Sequence, residues 1–129
     1  MPRRSANRKT PAWKAFEQAV AKFIRALDPK AEVLENAKPP DIDTGRKRQR
    51  DVMVKATVCG HYPVPILVSC KLKKRRLSQE DIDHFVGEIR SANAVMGVIY
   101  AKGFAQPAIE KARKLNIPCC ILDTASFVL

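Results

Sequence analysis

The chain is poor in acid, in histidine and in long apolar runs. Its 129 residues hold 13 Asp and Glu against 24 Lys and Arg, which leaves a formal charge of +11 and a pI of about 9.9. That imbalance points to a polyanionic partner. No stretch approaches the ~18 uninterrupted apolar residues of a spanning helix, and the cationic segments form no helix with one wholly apolar face. A membrane is therefore not expected as a partner and nucleic acid is. The basic start, Met1 to Lys9, has no apolar h-region behind it. No secretory signal is read there, and the cytoplasm is the expected location. The two histidines, His61 and His84, are too far apart to suggest a metal site. The four cysteines, Cys59, Cys70, Cys119 and Cys120, contain no C-x-x-C pair. They read as reduced, mostly buried thiols.

What is present suffices for one domain. A hydrophobic content of 46% over this length can bury an ordinary core without disulfides, and a second domain would not fit. Residues 1 to 10, polar, basic and aperiodic, read as a disordered arm, and residues 11 to 129 as the folded domain. Trp13, Phe16, Val20, Phe23, Ile24 and Leu27 recur at helical spacing after Pro11, and Asp28-Pro29 ends the run. Glu17 sits at the edge of that apolar arc, and Trp13 reads as a core anchor. A short strand over residues 32 to 35 leads to a loop rich in Pro, Asp and Gly. Two β-type runs, 51 to 58 and 64 to 71, flank a hairpin connection at Cys59 to Pro63.

Ser78 with Asp81 resembles a capping box opening a second helix, whose buried stripe is Ile82, Phe85, Val86 and Ile89. Residues 95 to 100 read as a fully buried strand, 106 to 115 as a third helix and 117 to 122 as a last strand. The expected fold is thus α/β, a single domain of order αβββαβαβ with a mixed central sheet. An antiparallel meander of three strands should be followed by crossovers to parallel strands, with helices on both faces.

Side chains alternate along a strand, so Leu67, Ser69 and Lys71 share one face and Ile66, Val68 and Cys70 the other. Antiparallel pairing could set Asp51 beside Lys71. A carboxylate and an ammonium where two strands end would suit phosphodiester hydrolysis: Asp51 would hold a hard divalent cation, and Lys71 would orient water or offset charge in the transition state.

The stretch from Arg48 to Val52, the strand Ile66 to Lys71, the helix segment Ile82 to Phe85, and Gly97 to Phe104 with Ala108 to Glu110 together resemble a Mrr-type member of the PD-(D/E)XK, restriction-endonuclease-like superfamily. The likeness runs from about Trp13 to Leu122. It implies cleavage of DNA phosphodiesters with Mg²⁺, Mn²⁺ being a substitute. By the same resemblance Asp51 matches the metal-binding aspartate, Lys71 the motif lysine and Glu17 the first-helix glutamate, and the carbonyl of Cys70 is a further metal contact. Ser69 stands where the family most often has Glu or Gln. Some superfamily members with serine there take the acid from the next helix; Glu80, Asp81, Asp83 and Glu88 are the candidates. The helical wheel sets all but Glu80 beside the buried stripe, and the choice stays open.

Against these readings stand blander ones. Asp51 and Lys71 could form an ordinary strand-end ion pair, Glu17 could be a solvated flank charge, and Ser69 a small packing residue. The runs holding Arg46, Lys47, Arg48 and Arg50, and Lys73, Lys74, Arg75 and Arg76, lie beside the site residues in sequence. A phosphate track is favoured there over a merely solvated face. The leading expectation is a metal-dependent DNA nuclease. Its rivals are a non-catalytic nucleic-acid-binding module that keeps the nuclease fold and a Holliday-junction-resolvase-like homodimer. Neither a dimer seam nor a specificity subunit is evident in the sequence.

Overall fold

The computed structural model describes residues 10–46 and 52–122. The expected arm, apart from Thr10, lies outside these residues, as do Lys47, Arg48, Arg50 and Asp51. The elements are α1 (Ala12–Leu27), β1 (Glu32–Glu35), β2 (Val52–Val58), β3 (Tyr62–Lys71), α2 (Gln79–Ser91), β4 (Met96–Ala101), α3 (Gln106–Lys114) and β5 (Cys119–Ile121). This is the αβββαβαβ order. The sheet runs β1-β2-β3-β4-β5, antiparallel through β3 and parallel from β3 to β5.

Strand alternation divides the core into two layers. Val52, Val54, Val68 and Tyr100 pack under Phe16, Val20 and Ala21 of α1. Met53, Leu67 and Ile99 pack with Ile82 and Phe85 of α2 and Ala108 and Ala112 of α3. Helices therefore cover both faces of the sheet. Phe16 and Phe85 are fully enclosed, each worth roughly 1.5–3 kcal/mol of apolar burial. Ser78 and Asp81 close the expected capping box at the start of α2, their side-chain oxygens accepting from each other's backbone N–H groups.

Several apolar positions are wetter than their periodicity implies. Trp13 is 51% and Leu27 65% exposed. α1, with 16 residues, is about 24 Å long, and its enclosed residues fall in the central turns, so both ends of the stripe overrun the core. Trp13 is thus not the anchor its spacing implied. Val95 and Met96 are also exposed, because the helices cover the later part of β4; they rim an open depression with Val86 and Leu115. The last strand is shorter than residues 117 to 122, and α3 ends at Lys114.

The cysteines also depart from expectation. Cys59 is exposed and the other three half-buried, all of them free thiols. Cys59 occupies the corner between β2 and β3, where it and Gly60 have φ of 57° and 73° and His61 N–H donates to the Val58 carbonyl. Positive φ at both central positions matches the strand twist of a tight hairpin. Burial pushes the Cys119 and Cys120 thiols up from their ordinary value.

Gly97 marks the closest approach of α2 to the sheet. A Cβ there would come within 2.5 Å of Ile89 Cδ1 and 2.6 Å of Phe85 Cζ. Gly97→Ala should overpack this contact and lower stability by about 1–3 kcal/mol. A urea melt would show a lower midpoint at unchanged slope; an unchanged midpoint would mean that α2 moves aside without cost.

Candidate active site

β3 is the central strand, and it ends at Lys71, in register with Ala101 at the end of parallel β4. Ser69, two positions earlier on the same face, is 3% exposed. Its Oγ has no hydrogen-bond partner among the described residues. Leaving a buried hydroxyl unpaired costs about 1–3 kcal/mol, and such groups in native proteins call for a specific explanation such as a bound ion or a functional role.

Facing this strand end is Glu88, three turns into α2. Its Oε1 is closed off from solvent and lies 3.7 Å from Lys71 Nζ, with the two side chains 20% and 24% exposed. His84, one turn earlier, brings Nε2 to 3.8 Å from the same oxygen. Both contacts are ion-pair distances, longer than a direct hydrogen bond.

The other helix acids have different roles. Asp81 accepts from Ser78 N–H at 2.7 Å, from Arg75 at 2.9 Å and from Lys73 at 3.0 Å. Burial on its own would push this carboxyl up. The hydrogen bonds from Arg75, Ser78 and Lys73 outweigh it and hold the group well below the usual carboxylate range. Asp83 pairs with Lys111 of α3, and Glu80 is exposed in the first turn. Of the four candidates, Glu88 is the one the fold brings to Lys71. Sequence could not choose it, since Asp81, Asp83 and Glu88 all flank the same stripe; the packing of α2 on β4 decides.

The remaining expected residues are distributed around this point. Glu17 is 8% exposed on α1, and α1 packs against the sheet face that carries Val68 rather than Leu67. Val52 pairs with Val68, so the described β2–β3 ladder stops one residue short of both Asp51 and Ser69; Asp51 itself lies outside the described residues. Arg46 is exposed and ends a loop tied to α2 by Ile42 N–H on the Ser91 carbonyl and by Arg90 on Asp43. Lys73 and Arg75 are engaged by Asp81. Lys74 and Arg76 are exposed and have no ion-pair partner among the described residues.

Ser69 Oγ and the Glu88 carboxylate are oxygen donors of the kind that Mg²⁺ prefers. Among the described residues no group of three His, Cys, Asp or Glu stands close enough to hold a metal. A metal would thus need Asp51, or backbone oxygen such as the Cys70 carbonyl, to complete its ligands.

Residues 9–128 match the restriction endonuclease family of Mrr catalytic domains. The chain belongs to that family. No curated protein matches the chain by sequence. Among solved structures, a protein of unknown function, AF1548, superposes with a TM-score of 0.63 at 12% identity, over 83% of this chain and 58% of its own. The MspJI restriction endonuclease in complex with a 27-mer oligonucleotide gives 0.53 at 17% identity, over 88% of this chain and 26% of its own. EndoMS in complex with double-stranded DNA gives 0.51 at 17% identity, over 93% and 49%. The Mrr-type domain therefore spans less than two thirds of each of these proteins. At such identities the likeness concerns the fold, which is that of a restriction endonuclease.

The Asp81 cluster gives this Mrr-type domain a pH-dependent tether between its basic loop and α2. A carboxyl held below its ordinary pKa of 3.8 stabilises the fold fully above that value, and the contribution fades as pH falls through the depressed folded value. Asp81→Ala should cost about 1–2 kcal/mol at pH 7 through the lost cap. The gap from the unaltered protein should narrow below pH 4. Denaturant melts of both proteins at pH 7 and pH 3 test this, and a gap that widens in acid would contradict it.

Proposed function

We propose that this domain is a divalent-metal-dependent endonuclease acting on DNA, in which Glu88 supplies the carboxylate that Ser69 does not. The observation that carries this reading is the pairing of Lys71 with Glu88 at 3.7 Å at the end of the strand whose buried Ser69 Oγ has no hydrogen-bond partner among the described residues. Family membership supports nuclease chemistry, and a charge of +11 suits a polyanionic substrate.

Asp51, the Cys70 carbonyl and Glu88 would hold Mg²⁺ or Mn²⁺, with Ser69 Oγ offering a lone pair to the cation or donating to one of its waters, while Glu17 stands on the α1 face of the sheet, opposite the Lys71–Glu88 pair. The cation would supply Lewis acidity toward the scissile phosphate. Lys71, half-shielded from water, places a fixed positive charge where charge builds on the phosphoryl oxygens, and in a drier site that charge acts more strongly than in bulk. Glu88 holds the ammonium at the end of β3. Arg46, Lys47, Arg48, Arg50, Lys74 and Arg76 would meet flanking phosphates. Lys73 and Arg75 can join them only in part, because Asp81 already offsets their charge.

The second reading, a DNA-binding module without catalysis, draws on the serine at position 69 and on the lack of a three-ligand cluster among the described residues. Incubating supercoiled DNA with the protein and Mg²⁺, Mn²⁺ or EDTA separates the two. The nuclease reading expects nicking that EDTA abolishes, and on the order of 100-fold slower cleavage in Lys71→Ala and Glu88→Gln. Asp51→Asn should likewise stop cleavage while leaving affinity equal or higher. Tight binding with no cleavage under any metal would establish the module instead. Unimpaired cleavage by Glu88→Gln would remove that residue from the site.

A further inference from the structure

A groove of about 460 Å³ opens between α1 and the end of the sheet, lined by Ala12, Ala15 and Ala19, by Leu72, and by Lys22 and Lys102, with Gln18 on its wall and Phe16 at its base. Its volume lies within the ~300–1,000 Å³ of sites that enclose small organic groups. Three alanines one helical turn apart leave a shallow apolar face, since residues at i, i+3 and i+7 line one side of a helix and these carry only a methyl group.

The two lysines give this groove a charge that no carboxylate among the described residues offsets, unlike the cations around α2. Lys71, Lys73, Arg75 and Lys111 each face a carboxylate. Lys22 and Lys102 are exposed and have no ion-pair partner among the described residues. Two unpaired cations beside an apolar floor disfavour a purely apolar occupant and suit one that joins a planar ring to an anion.

The groove also adjoins the candidate active site. Leu72 follows Lys71 directly, and Lys102 follows Ala101, the register partner of Lys71 on β4. Leu72 packs with the α1 layer and Leu67 with the α2 layer. The groove and the Lys71–Glu88 pair therefore occupy the two faces of one sheet end, and a strand laid over that end meets both. We infer that the groove binds the nucleotide adjoining the scissile phosphate on the same DNA strand. Its base lies on the alanine face and its phosphate is held by Lys22 and Lys102. This assignment rests on the nuclease reading of the Lys71 end and names the part of the substrate that α1 receives.

The test uses the full chain carrying Asp51→Asn, so that DNA is bound but not cut, and a labelled duplex followed by anisotropy across a salt series. Three variants are added to that background. Lys22→Ala with Lys102→Ala should weaken binding and flatten the plot of log K against log salt by about 0.9 units, the value for one lost duplex phosphate contact, since the two lysines share one phosphate. Ala15→Trp fills the groove without changing charge; it should weaken binding about tenfold with the salt slope kept. Lys30→Ala with Lys55→Ala removes the same charge elsewhere and should leave the slope within a few tenths of the background.

Groove variants that behave like the Lys30/Lys55 control, on DNA that the unaltered protein binds and cleaves, would overturn the groove assignment and leave the nuclease reading intact. No binding and no cleavage by the unaltered protein would overturn both. An Ala15→Trp protein that folds and keeps unchanged DNA affinity would likewise overturn the inference.

Discussion

The structure depends on the burial of β3 on both of its faces. Leu67 enters one apolar layer and Val68 the other, while the strand bonds antiparallel to β2 and parallel to β4. A strand fixed on four sides cannot slip by one residue without exchanging its two faces. Ser69 and Lys71 therefore have no freedom in which side they present. Among the described residues the buried hydroxyl of Ser69 has no hydrogen-bond partner. The same rigidity holds Lys71 at a defined point where three strands and a helix converge, which is what a group acting on a phosphate requires.

Electrostatics then divides the cations by function. Asp81 spends its carboxylate on the capping box and on Lys73 and Arg75, and so pins the basic loop to the start of α2. Asp83 joins α2 to α3 through Lys111, and Asp43 joins the loop before β2 to the end of α2 through Arg90. With acid so scarce in this chain, each carboxylate placed in a tether neutralises part of the positive field locally. These exposed ion pairs add little stability singly, yet they set which lysines and arginines remain available to a polyanion.

Much of the architecture was legible in the sequence. The order of elements follows from the switch between helical and alternating periodicity, the capping box from Ser78 and Asp81, and the mixed sheet from the lengths of the connections. Legibility failed at the ends of elements. Trp13, Leu27, Val95 and Met96 belong to apolar patterns yet lie in water, because periodicity tells which face of an element is apolar and not how far its partner extends. Cys59 has an apolar side chain but sits at a hairpin corner, where backbone geometry rather than burial decides its place.

The sequence by itself determined the candidate lysine, its companion serine and their common face, because side-chain alternation along a strand is a local property of the backbone. It also determined the excess of positive charge, +11 over the chain, since net charge needs no fold. Only the tertiary structure decided which carboxylate meets Lys71. Asp81, Asp83 and Glu88 are equivalent on a helical wheel, and they are separated by the position at which α2 crosses the sheet over Gly97, a contact that no stretch of the chain encodes alone. The groove under α1 was invisible for the same reason: its lysines stand 80 residues apart, at positions 22 and 102, and meet only because α1 packs across the end of β4.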